Sequence, residues 1–229
     1  MPETQKTNTS KTKIYRELRR SIILGHLKPG EKVNLEDLAA KHQTSVTPVR
    51  EALQMLAQEE LITAKPHQGY FVSQITFKEL TDLLELRQIL ELAAIEMAAP
   101  KISAQQLDEL ESIHETVVTG ETGNYERAVE ENRRFHYLIA LASGNKELAE
   151  YLGRVHDRLA RFFVRIHSPE EVESRHNLLI QALRSHDAAL SRETLLAEIN
   201  ETRDFTLSQV VEKDGTAWYI GLNEGSNPR

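Results

Sequence analysis

The stretch Ser45-Val46-Thr47-Pro48-Val49-Arg50-Glu51-Ala52-Leu53 decides how the first third of this 229-residue chain is read. Pro48 suits the first turn of a helix, where an N–H would lack a partner anyway, and Thr47 ahead of it is expected to cap the free amides. On a helix advancing about 100° per residue, Val49, Ala52, Leu53 and Leu56 share one face. Thr47, Arg50, Gln54 and Gln58 fall roughly opposite. One face grips a core. The other presents a hydroxyl, a guanidinium and an amide near the helix N-terminus, the end that a recognition helix points into the major groove. Arg pairs bidentately with guanine and Gln with adenine, and each good pair discriminates by ~1–3 kcal/mol. A surface helix with solvated Arg50 and Glu51 would show the same local pattern, so the neighbouring segments have to decide.

Working outward, apolar-periodic stretches at 14–24 and 35–40 precede this helix at 49–61, interrupted by Lys28-Pro29-Gly30 and Gln43-Thr44-Ser45. Behind it, Leu61-Ile62-Thr63-Ala64 and Tyr70-Phe71-Val72 flank the loop Lys65-Pro66-His67-Gln68-Gly69, which reads as a hairpin. Three helices and a hairpin describe a winged helix-turn-helix, expected over residues 13–75 after a flexible tail at 1–12. Ser45, Thr47, Arg50 and Gln54 are then the candidate DNA-reading residues. His67, Gln68 and Gly69 at the wing tip are placed to reach a minor groove or a phosphate.

From residue 77 onward the pattern is helical throughout. Punctuation at Pro100, 120–124, Ser143-Gly144-Asn145, Ser168-Pro169 and 185–187 separates helices expected at about 77–98, 103–118, 125–142, 146–166, 169–185 and 188–210. Short connections favour an antiparallel all-α bundle over 77–212, followed by a loosely held tail at 213–229. The fold class expected is therefore mainly α: a winged helix-turn-helix joined to a helical bundle.

Composition agrees with two jobs. The net charge is −7, but residues 1–76 hold 11 Lys+Arg against 8 Asp+Glu, leaving 17 against 27 for the remainder. A mildly basic front is thus joined to an acidic back. The chain has no cysteine, which excludes disulfides, thiolate metal sites and thiol nucleophiles. No run reaches the ~18 apolar residues that a spanning helix needs, and the polar start lacks the apolar core of a secretory signal. A cytoplasmic protein with no membrane partner is expected.

The resemblance to a known family rests on named strings. Leu18-Arg19-Arg20-Ser21-Ile22, Gly25-His26-Leu27-Lys28-Pro29-Gly30-Glu31, Leu38-Ala39, the 45–53 stretch, Leu61 and Gly69-Tyr70-Phe71-Val72 resemble the winged-helix domain of GntR-family transcription regulators. The resemblance implies a DNA-binding regulator. The family usually has Gly where Gln43 stands and Arg where Val46 stands. The first exchange bears on the turn, because Gly is favoured where φ is positive, and the second removes a common base or phosphate contact.

Within the bundle, Arg87 sits amid Leu80, Leu83, Leu84, Leu90 and Ala94. An inward guanidinium needs a partner. Either Glu91, four residues on, supplies an internal ion pair, or Arg87 clamps the carboxylate of a small effector. Asn132 and His136 leave one helix on the same side at i, i+4. His176 lies on an apolar face, and Glu198 on a polar stripe with Ser191, Thr194 and Thr202. His176 and Glu198 stand about eleven residues to either side of the turn near Asp187, ~16 Å along each helix, so an antiparallel pair sets them at similar depth. A core histidine satisfied by its neighbours is the plainer reading of each imidazole. The alternative is one N/O site, fed from three helices, for a divalent ion such as Zn, Ni or Mn. The row Arg154, Arg158, Arg161, Arg165 reads as solvated or as a subunit contact, with an anionic ligand or an interdomain contact as the alternative.

Residues 77 to about 210 also resemble FCD, the effector domain of the FadR subfamily of GntR regulators, through Glu85-Leu86-Arg87, Leu90-Glu91, Phe135-His136, Ser143-Gly144-Asn145 and the His176 segment ending at Asp187. In many such domains an Asp and three His bind a metal beside a small carboxylate effector. The matching positions here are Asn132, His136, His176 and Glu198, so two are kept and two exchanged, with the total ligand charge conserved. The expectation is a non-enzymatic, ligand-responsive repressor acting as a homodimer on a near-palindromic double-stranded operator. His114-Glu115-Thr116-Val117-Val118 is not HExxH, and neither GxSxG nor a phosphate-binding Gly loop occurs. The competing class is a metal-dependent enzyme or small-molecule binder whose front domain serves only for assembly.

Overall fold

The computed structural model describes residues 3–74, 76–119, 125–163 and 169–212. They fall into two compact units that divide between Phe77 and Lys78.

The first unit is a winged helix-turn-helix. Its order is α1 (Glu3–Ile23), β1 (Lys32–Val33), α2 (Leu35–Lys41), α3 (Val46–Gln58), β2 (Ile62–Lys65) and β3 (Gly69–Val72). Ile14, Leu18 and Ile22 of α1 interlock with Val49, Leu53 and Leu56 of α3, and Val33, Ile62 and Val72 close the core from the sheet side. The Tyr15 hydroxyl donates to Glu59 Oε1 at 2.6 Å, tying α1 to the end of α3. Residues 3–12, expected as a tail, continue α1. That decamer contains no apolar residue, so it offered no periodicity to read.

The sheet has three strands rather than two, in the order β1-β3-β2. Both pairings are antiparallel, with Lys32 opposite Phe71 and Thr63 opposite Phe71 on the other side. β1 spans only Lys32 and Val33, too short for an alternation to show. The wing turn closes through Gln68 N–H donating to Lys65 O at 3.1 Å. Pro66 fixes its second position, and His67 adopts a left-handed φ of 59°.

The second unit is a helical bundle: α4 (Phe77–Ala98), a 3-10 turn (Ala99–Lys101), α5 (Ala104–Thr119), α6 (Tyr125–Ala142), α7 (Lys146–Phe163), α8 (Pro169–Arg184) and α9 (Ala188–Glu212). Its main core draws Ile95, Leu110, Phe135, Ile139, Leu179 and Ile199 from α4, α5, α6, α8 and α9. A smaller cluster of Ala94, Ala140, Ala149 and Leu152 lets α4, α6 and α7 approach closely. Among the described residues no helix is long and apolar enough to cross a membrane. The tail expected at 213–229 and the end of the expected 146–166 helix lie outside the described residues.

Candidate functional site

Two sites carry the polar chemistry, an exposed face on the first unit and a buried centre in the second. On α3 the inner residues Val49, Ala52, Leu53 and Leu56 are wholly buried, while Ser45, Thr47, Arg50, Gln54 and Gln58 are exposed. The helix begins at Val46, earlier than the Thr47 cap implied. Its N-cap is Ser45, in extended conformation and without a side-chain cap bond. Thr47 is therefore already inside the first turn, its hydroxyl on the outer surface, and Pro48 is still early enough that its missing N–H leaves no helical bond unmade. Val46, standing where the family usually has Arg, packs half-buried against the core.

At the wing tip His67 and Gln68 are exposed, and Gly69 has φ of 105°, a conformation an L side chain would strain. Behind them, Lys65 Nζ and Lys32 Nζ stand 4.9 and 6.0 Å from the centre of the Phe71 ring. Cation–π contact holds two positive charges on the wing.

The second site is a polar centre inside the bundle, to which each of its helices contributes. Arg87 and Glu91 come from α4, His114 from α5, His136 from α6, His156 from α7, His176 from α8 and Glu198 from α9. All but His114 are buried. Arg87 Nε donates to Glu91 Oε1 at 2.9 Å, so of its two sequence readings the geometry displays the internal pair. His156 donates from Nε2 to the same oxygen at 2.5 Å. His136 lies between two acids, with Nδ1 3.5 Å from Glu91 Oε2 and Nε2 3.3 Å from Glu198 Oε1. His176 stacks on Phe135, ring centres 3.8 Å apart, and meets His136 edge-on at 5.5 Å.

Donor atoms of His136, His176 and Glu198 all lie within 4.8 Å of one another, and so do those of Glu91, His136 and His156. Asn132 sits half-buried on α6, one turn before His136. Both ring nitrogens of His176, Nε2 of His136 and Oε2 of Glu198 are buried without a hydrogen-bond partner. Such atoms are rare in folded interiors, because each forfeits its hydration for nothing.

Burial drives the electrostatics. It pushes the His176 imidazole down to about 3 and the His156 imidazole down to about 4, the latter against the pull of Glu91. Burial would also raise both carboxyls. At Glu91, Arg87, His136 and His156 together outweigh it and hold the acid well below its ordinary range. At Glu198 the adjoining His136 and His176 do the same more mildly. The centre therefore holds two carboxylates, one guanidinium and imidazoles with available lone pairs, which is a donor set for a borderline divalent cation.

Sequence reasoning named Arg87, Asn132, His136, His176 and Glu198 here. It gave Glu91 only as a partner for Arg87, and it missed His114 and His156. His156 falls within the arginine row of α7, whose members prove unlike one another. Arg154 is exposed over the Tyr151 ring at 5.2 Å, Arg158 reaches Glu79 at 3.7 Å, and Arg161 is buried rather than solvated. Burial pulls the Arg161 guanidinium down to about 10. Arg165 lies outside the described residues. An inward register at 156 was nevertheless written in the apolar positions Leu152, Val155 and Leu159 around it.

Known proteins share this layout. Residues 82–201 match the FCD domain and residues 10–72 the bacterial regulatory proteins of the gntR family. The chain is 27% identical over 195 residues to the HTH-type transcriptional regulator YdhC of Bacillus subtilis strain 168, covering 82% of this chain and 86% of that one. It is 29% identical over 193 residues to the HTH-type transcriptional regulator McbR of Escherichia coli K12, covering 81% and 87%. The HTH-type transcriptional repressor GlaR of the same organism is 26% identical over 194 residues, covering 79% and 88%. The solved structure of E. coli McbR/YncC superposes with a TM-score of 0.76 at 26% identity, covering 87% of this chain and 98% of that one. A winged helix with the outer face of α3 exposed, a helical bundle with a polar centre, and matches to both domains in this order place the chain in the GntR family of DNA-binding transcription regulators, among those that carry an FCD domain.

Proposed function

We propose that this regulator is a homodimeric repressor whose bundle binds a small carboxylate effector at a divalent metal ion and thereby releases DNA. The observation that carries the reading is His176: a fully enclosed imidazole with neither nitrogen hydrogen-bonded, beside a Glu198 carboxylate with an oxygen in the same condition. His136, His176 and Glu198 would hold the ion, with the Asn132 amide available from the preceding turn of α6. When bound, Zn, Ni or Mn would supply a positive charge to which a small organic acid can attach. Glu91 already neutralises Arg87, which favours the ion over the guanidinium as the principal anchor for that acid.

On DNA, two copies would present Ser45, Thr47, Arg50 and Gln54 to successive major grooves of a near-palindromic operator, with His67, Gln68 and Gly69 of each wing against the backbone or minor groove. The effector must favour the arrangement that misplaces the two α3 helices by a differential affinity of about 1–3 kcal/mol or more. The repressor reading draws on GlaR, which is described as a repressor.

Two measurements test this. Full-length protein dialysed against chelator should gain thermal stability on addition of Zn, Ni or Mn, and no gain with any of them removes the metal. Gel shifts against the DNA flanking its own gene should show retardation that survives moderate salt and is relieved by an organic acid. Uniform, salt-erased binding would remove the operator.

A further inference from the structure

His136 belongs to both groups of donors, one on each side of its ring. Its Nδ1 faces Glu91 Oε2 at 3.5 Å, and its Nε2 faces Glu198 Oε1 at 3.3 Å. An imidazole that ligates a cation through one nitrogen carries its single N–H on the other, so in the metal-bound centre His136 can donate to one of these carboxylates while its lone pair faces the other across the ion.

Charge decides on which side that cation can lie. Glu91 Oε1 already receives the Arg87 guanidinium at 2.9 Å and His156 at 2.5 Å, so a divalent ion on that side would stand against a buried positive charge. Around Glu198 the neighbouring ligand atoms are the ring nitrogens of His136 and His176, all within 4.8 Å of one another. Satisfaction of buried oxygens points the same way. Glu91 Oε2 has no hydrogen bond, and the ring nitrogen facing it is His136 Nδ1. With the proton on Nδ1, Glu91 gains its missing donor and Nε2 is free for a cation that Glu198 and His176 also reach. With the proton on Nε2, Glu91 Oε2 faces a lone pair on the side where Arg87 opposes any ion.

We infer that Glu91 is a positioning residue for the centre: it accepts the Nδ1–H of His136 and so fixes the tautomer that directs the Nε2 lone pair toward Glu198 and His176. Glu91 touches neither ion nor effector, and the inference rests on the metal reading above. Carboxylates that orient a ligating histidine in this way typically contribute 10–100-fold to metal affinity.

The test uses the full chain and zinc, titrated against a competing chelator. Glu91→Leu alone would remove the buried carboxylate that Arg87 pairs with, so it is combined with Arg87→Met. The double variant has the same net charge as wild type but no acceptor for Nδ1. It should bind zinc about 10–100-fold more weakly, whereas Arg87→Met alone, which keeps the acceptor, should bind at least as tightly as wild type. A double variant within about twofold of wild type overturns the positioning role, since a through-space charge effect would also leave affinity unchanged there. A second readout does not depend on the variant folding: in the zinc-loaded wild type, nitrogen NMR of His136 should show Nδ1 protonated and Nε2 metallated. The opposite assignment overturns the inference while leaving the metal in place. Wild type that binds none of Zn, Ni and Mn overturns both readings together.

Discussion

His176 is a polar ring sealed in an apolar setting, stacked on Phe135 and hydrogen-bonded through neither nitrogen. In metal-free protein it forfeits hydration without recompense, so His176→Leu should leave the chelated protein as stable as wild type or up to about 1–3 kcal/mol more stable by urea denaturation, and should abolish the gain on adding metal. A loss of stability without metal would mean that the imidazole has partners after all. The same burial fixes the pH response. Unfolded, His156 and His176 take up protons near the ordinary 6.5, but folded they resist down to about 4 and about 3. Across that window the unfolded chain binds more protons, so stability falls as pH falls. Glu91 and Glu198, both held low when folded, add the same sign below about pH 4.5. Metal-free protein should therefore lose stability from pH 6.5 downward with a steepness approaching two protons, and His176→Leu should remove one of them. At the reading face, Arg50→Ala should weaken specific DNA binding more than non-specific binding, whereas equal losses would make Arg50 a phosphate contact. The candidate residues were legible where spacing along one helix or across one turn placed them, as with Asn132 and His136, or His176 and Glu198. The bond between Glu91 and His156 joins α4 to α7 across 65 positions, and no local periodicity announces such a pairing.

Two helices of the winged unit, α2 and α3, end by a device the residues themselves supply. α2 stops at His42 with Gln43 in the left-handed region, φ 49°, where Gln43 N–H donates to Ala40 O at 3.1 Å and Thr44 N–H to Ala39 O at 2.9 Å. The turn that Gly usually makes is thus retained with a residue ill suited to it. Gln43→Gly should stabilise the winged unit by about 0.5–1 kcal/mol, the left-handed strain relieved exceeding the chain entropy that glycine adds. A thermal melt showing destabilisation would indicate that the Gln43 side chain contributes more than its backbone loses. α3 ends the same way at Glu60, φ 60°, with Leu61 N–H donating to Leu56 O at 3.0 Å. Helices were readable because their apolar faces repeat over three or more turns. β1 was not, because two residues cannot display a period and its pairing with β3 is decided by a segment nearly forty positions away.

Across the whole chain, the two cores contain separate sets of residues, one built around Leu53 and Leu56, the other around Phe135 and Leu179. A ligand confined to one core stabilises that unit by mass action, so calorimetry of the full chain should show zinc raising the transition of the bundle and leaving that of the winged unit where it was. Leu53→Ala, which empties a wholly buried position, should do the converse, lowering the winged unit by about 2–5 kcal/mol and leaving the bundle's response to zinc intact. A single merged transition that moves with both perturbations would show that the units unfold together. The absence of cysteine, together with an outward Gln58 at the far end of α3, opens a direct route to the proposed switch. In the proposed homodimer, Gln58→Cys would be the sole thiol of each copy, so a nitroxide attached there would report one distance between the two α3 helices, and its change upon adding organic acid would measure how far the grip is spread.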